Sequence, residues 1–130
     1  MQAGRYLKTL SGGVVAAVGI GLAVVAICNG AIAASQSESF ASRWNADSLG
    51  QVFQIAIPFL LLALLGIRDR AAWIVGILVT AGLWGFLYLP AAMEPGGGAN
   101  IGWGLLSLVM PFLVFGCALL GLMPRAARGE

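Results

Sequence analysis

Four apolar runs, residues 12–34, 49–67, 71–93 and 101–123, constrain this chain more than any other feature. A helix needs about 20 apolar residues to cross the ~30 Å hydrocarbon core of a bilayer, and each run is near that length. Strands fit poorly, because barrel strands alternate polar and apolar residues and these runs are apolar on every face. A helix also satisfies its own backbone hydrogen bonds, as lipid requires. The expected fold is an all-α membrane protein: four transmembrane helices in an up-down bundle, forming one domain over residues 1–130.

Charge agrees with this reading. Hydrophobic residues make up 60% of the chain and charged residues 9%, against ~25% charged in an average soluble domain. Such a surface cannot face water on all sides, which excludes a soluble enzyme or a disordered tail. The net charge of +2 is scattered along the chain and gives no phosphate footprint, so no nucleic-acid partner is expected.

The connections suit four antiparallel spans. Arg68-Asp69-Arg70 forces a tight hairpin between spans two and three. Pro95 and Gly96-Gly97-Gly98 stop span three, with Asn100 as the expected N-cap of span four. Ser48-Leu49-Gly50-Gln51 reads as a capping box that opens span two.

Lys and Arg near span ends stay cytoplasmic. Arg5, Lys8, Arg68, Arg70, Arg125 and Arg128 fall on one side of this topology and Arg43 alone on the other. Both termini are therefore expected in the cytoplasm, and the chain in the cell (inner) membrane. Arg5 and Lys8, an apolar run and then Ala31-Ile32-Ala33 also resemble a cleavable signal peptide. The run is longer than the usual ~7–15-residue core of such a signal, so an uncleaved first span is the preferred reading.

The chain offers little chemistry. It has no His, and its two cysteines, Cys28 and Cys117, sit at depths about 15 Å apart at ~1.5 Å per residue. A disulfide needs Cα atoms within ~7 Å, so both are expected as free, buried thiols. No metal site, cofactor or enzymatic activity is expected: ligand clusters are missing, and no carboxylate lies inside a span to relay protons.

Some features stand above this background. Residues 54–60 and 107–113 align, each with a Pro-Phe-Leu, and similar Leu-rich stretches and an Arg-Ala-Ala follow both. Tandem duplication of a two-helix hairpin would produce this match; chance alignment of Leu-rich helices is the other reading. Pro58 and Pro111 are expected to kink their helices and to free the carbonyls of Gln54 and Ser107. Polar side chains or a neighbouring helix could repair those groups, or the broken helices could line a small site.

Asn29, Gln54, Tyr88 and Ser107 fall about 8–9 Å below their span ends at ~1.5 Å per residue, as one uncharged polar layer. Gly13, Ala17 and Gly21 form a small-residue stripe in span one. Span three carries Ala72, Gly76 and Thr80, then Ala81 and Gly85. Such faces let helix backbones approach closely, within the chain or against another subunit. Trp73 and Trp103 are expected at the bilayer interfaces, and Phe40 and Trp44 as a short membrane-surface turn. Trp84 and Tyr88 share a helix face and are expected in the core.

Two functions follow as expectations. The first is an accessory or structural subunit that packs against a larger membrane complex or self-associates within the lipid bilayer. The second is an oligomeric channel or transporter for a small uncharged solute, drawing on the prolines and the polar layer.

Overall fold

The computed structural model describes residues 2–93 and 101–129, with the backbone alone for residues 101–104, 125 and 126. The chain is an all-α bundle, with no strand among the described residues. Helix α1 spans Gln2–Gln36 and α2 spans Ala46–Leu64. The third span is α3 (Arg70–Gly82), a π-helical turn (Leu83–Tyr88) and α4 (Leu89–Met93). Helix α5 covers Ile101–Leu120, and a short α6 covers Met123–Ala126. The first three spans are long and apolar enough to cross a membrane, and α5 carries a shorter apolar stretch over Leu105–Leu120. Asn100 and the side chain of Trp103 lie outside the described residues.

Several boundaries differ from the sequence reading, each for a local reason. Helix α1 begins ten residues before the apolar run, because nothing in Gln2–Ser11 breaks a helix and Tyr6 is tied down. Its hydroxyl donates to the carbonyl of Leu64 at 2.9 Å. Helix α2 opens at Ala46, not at Leu49. Its N-cap is Asn45, whose side chain accepts from the Ser48 N–H at 3.1 Å; Ser48 sits one turn inside the helix and is not the cap. The same helix stops at Leu64, three residues early. Gly66 adopts φ +70°, and Ile67 N–H reaches back to Leu62 O at 2.9 Å while Gly66 N–H reaches Ala63 O at 3.1 Å. That pair of bonds is a Schellman ending, which a glycine closes without a Cβ clash. Asp69 then caps α3 by accepting from Ala71 N–H at 2.8 Å. Helix α5 ends at Leu120, where Gly121 N–H bonds both Cys117 O and Ala118 O.

The π-helical turn lies just before Pro90. Proline supplies no N–H to the preceding turn and crowds the carbonyl four residues back. The wider turn accommodates this, with Leu89 N–H bonding Trp84 O five residues back.

Helix α1 packs mainly on α2, α2 on α5, and α5 on α3, while α4 returns to α1. Successive spans two and three touch little; the two proline-bearing helices are the neighbours. One end of the bundle carries both termini and the 65–69 turn, and the other carries the 37–45 loop. The core has two layers. Ala17, Ala56, Phe59, Leu62, Val114 and Ala118 fill the terminus end. Val25, Cys28, Val52, Ile55, Trp84 and Met110 fill the loop end.

In lipid, helices associate through close packing and not through the hydrophobic effect, so small residues decide where they meet. A Cβ on Gly13 would lie 2.6 Å from Ala63 Cβ, one on Gly21 2.6 Å from Val52 O, and one on Gly76 2.9 Å from Phe59 Cε1. Ala17 is fully buried between the first two. The span-one stripe thus seats α1 on α2. Gly85 takes no close contact within the bundle: it is exposed, and a Cβ there would meet nothing within 4 Å.

Candidate functional site

Polar groups concentrate at the loop end. Ser48, Gln51 and Gln54 recur every third residue along α2, so they project in one stripe toward the interior. Each bonds to a different part of the chain. Ser48 is 4% exposed and Asn29, facing it from α1, is 2% exposed. Asn29 Nδ2 donates to Ser48 Oγ at 3.3 Å, and the Ser48 hydroxyl donates onward to Arg43 O at 2.7 Å. The single Ser48 proton is thereby spent on Arg43, which fixes Asn29 as the donor in its pair. Next down the stripe, Gln51 Nε2 donates to the Tyr88 hydroxyl at 3.0 Å. The Tyr88 ring lies against Trp84, centroids 4.7 Å apart. Deeper still, Gln54 Nε2 donates to the carbonyl of Ser107.

That last carbonyl stands four residues before Pro111, which has no N–H to donate to it. The repair comes from the neighbouring helix. Pro58 and Pro111 are both buried.

The four residues read from sequence as one layer are therefore not a single closed network. Gln54 and Ser107 are joined, whereas Asn29 pairs with Ser48 and Tyr88 with Gln51. Ser48 and Gln51 were legible in the sequence only as a capping box. Their three-residue spacing with Gln54 was the signal for a shared face.

The 37–45 loop closes over this stripe. Ser37 takes φ 55°, and Glu38 N–H returns to Ala33 O at 2.9 Å, ending α1. A 3-10 turn at Ala41–Arg43 follows. Phe40 meets Trp44 edge to face at 5.8 Å, and Trp44 packs on the loop-end core. Arg43 pairs with Glu38 at 3.3 Å, with both side chains partly exposed. An exposed pair of this kind is worth about 0–1 kcal/mol.

Two adjoining cavities result. The first, about 710 Å³, is lined only by polar and charged residues and Tyr88, with Asn29 and Ser48 deepest in the fold. The second, about 600 Å³, is a groove between α2 and α5 that passes Gln54, Trp84 and Pro111 and ends at Ile57 and Phe112. Asp47 and Gln51 line both. Toward the terminus end, Phe59 and Leu62 are fully buried and close the interior. Thr80 is 1% exposed, and its hydroxyl has no partner among the described residues.

Cys28 and Cys117 are both free. Cys28 is buried as expected, but Cys117 is only half-buried, because its stretch of α5 faces outward on one side. Trp73 donates Nε1–H to Ile67 O at 2.9 Å and lies 5.6 Å from the Phe59 ring, so it helps fasten the turn between α2 and α3. Comparison of the chain with protein-family models, with curated proteins and with solved structures finds no match.

Proposed function

We propose that this chain is a non-catalytic accessory subunit of the cell (inner) membrane, with both termini cytoplasmic, which packs against a larger membrane partner. The observation that carries this reading is the division of the small residues on the third span. Ala72, Gly76 and Thr80 are buried within the bundle, whereas Ala81 and Gly85 face outward. A Cβ on Gly85 would meet nothing within 4 Å, so among the described residues no neighbouring helix needs a glycine there. This outward face is flanked by Leu78, 65% exposed, and Phe86, 83% exposed. A smooth strip between bulky side chains is where a helix backbone can approach closely.

Purification of the full chain in mild detergent tests this. The wild-type chain should elute with a larger membrane protein, and Gly85→Leu should release it while the isolated chain keeps its thermal stability. A wild-type chain that elutes alone at monomer mass under these conditions would sink the proposal.

A second reading, an oligomeric channel or carrier for a small uncharged solute, draws on the polar cavity at the loop end. The closed terminus-end core of a single chain counts against a pore through the monomer. Solute flux in proteoliposomes that Asn29→Leu abolishes would favour this reading.

A further inference from the structure

The two cavities at the loop end differ in chemistry and share a wall. The first is polar, with donors as well as acceptors in its wall, and Arg43 Nε is buried there with no partner among the described residues. Because the Ser48 proton goes to Arg43 and Asn29 donates to Ser48, the Asn29 Oδ1 is left as an open acceptor in a residue only 2% exposed. The cation in the cavity wall, Arg43, is held by Glu38 at 3.3 Å. Asp47, in the first turn of α2, has no ion pair among the described residues, so the cavity keeps a surplus carboxylate. The second cavity is a largely apolar groove that follows α2 from Ala46 to Ile57, about 16 Å at ~1.5 Å per residue.

A polar pocket at the end of a span, beside an apolar groove that shares Asp47 and Gln51 with it, matches an amphiphile. The Asn29 amide oxygen and the Asp47 carboxylate match a head group that is cationic and carries N–H donors. We propose that these two cavities together hold one lipid with a primary-ammonium head group, such as phosphatidylethanolamine, its ammonium toward Asp47 and Asn29 and one acyl chain along the α2–α5 groove. The site needs only the membrane location of the chain and is independent of any partner subunit.

Native mass spectrometry of the full chain in mild detergent tests the assignment, with phosphatidylethanolamine, phosphatidylcholine and phosphatidylglycerol offered in equal amounts. Phosphatidylethanolamine should be retained first, since a choline head group has no N–H to donate and a glycerol head group adds no cation. Asp47→Asn should reduce its retention about fivefold, the scale of one lost charge-assisted bond. Gly50→Leu is the groove variant. Gly50 lines the groove and a Cβ there meets nothing within 4 Å, so the leucine should block the acyl chain while leaving the fold intact, checked by thermal unfolding. Equal retention of the three lipids, or unchanged retention in Gly50→Leu, overturns the proposal. So does free ethanolamine that displaces the lipid at equal concentration, since the site would then recognise an amine and not a lipid.

Discussion

Pro111 has no N–H, so it cannot give the carbonyl of Ser107 the usual helical hydrogen bond from four residues on. In water a solvent molecule would fill the gap; in hydrocarbon an unmet carbonyl costs several kcal/mol. Gln54 on α2 supplies the missing donor, which turns a local defect into a contact between two helices. The coupling is measurable. Gln54→Leu should destabilise the wild-type bundle in detergent by about 0.6–2 kcal/mol, the range of interhelical hydrogen bonds. In a Pro111→Ala background, where α5 regains its own donor, the same substitution should cost much less. Thermal unfolding of the four variants gives the cycle, and an equal cost in both backgrounds would show that Gln54 serves some other group.

At the scale of elements, α1 and α2 meet because two glycines remove the Cβ atoms that would hold them apart. Gly21 faces the backbone carbonyl of Val52, 2.6 Å from where a Cβ would stand, while a Cβ on Gly19, two residues earlier, would meet nothing within 4 Å. Gly21→Ala must therefore push α1 off α2 and should cost about 1–3 kcal/mol, the scale of core overpacking. Gly19→Ala should raise stability by roughly 0.5–1 kcal/mol through helix propensity alone. Unfolding temperatures of the two alanine variants check this, and a loss in both would mean that the residues act through backbone flexibility and not through contact. The π-helical turn belongs to this scale too. It lies one turn before Pro90, a residue that marked no boundary in the hydropathy pattern because the apolar run continues through it.

For the whole molecule, the bundle places both termini and the 65–69 turn at one end. That is the pairing of loops the distribution of Lys and Arg requires. Arg5, Lys8, Arg68, Arg70 and Arg128 stand at this end and Arg43 at the other. Under the proposed cytoplasmic placement of the termini, a reporter fused after Glu130 should be active only in its cytoplasmic form. A signal from the opposite side of the membrane would invert the chain and move the polar cavity to the cytoplasmic face.

The helical class was legible in the four apolar runs because lipid permits so few backbone solutions: a run of this length must satisfy its own hydrogen bonds. Capping and turn chemistry were legible only partly. The hairpin at 68–70 is marked by its charges, but the true N-cap of α2, Asn45, stands three residues before the Ser48 motif that resembled one. Helix order could not be read at all, because 36 residues lie between the end of α2 and the start of α5 and nothing in either run says that they touch. Only the tertiary structure brings the Gln54 amide to the carbonyl that Pro111 frees. Only packing separates Gly21, which has a backbone against it, from Gly85, which has open space, since an isolated glycine carries no mark of what stands opposite. The loop-end cavity belongs to the same category. Its residues come from α1, the 37–45 loop, α2 and the π-helical turn, and their polarity was visible in sequence, but their convergence depends on where the small residues let the helices meet.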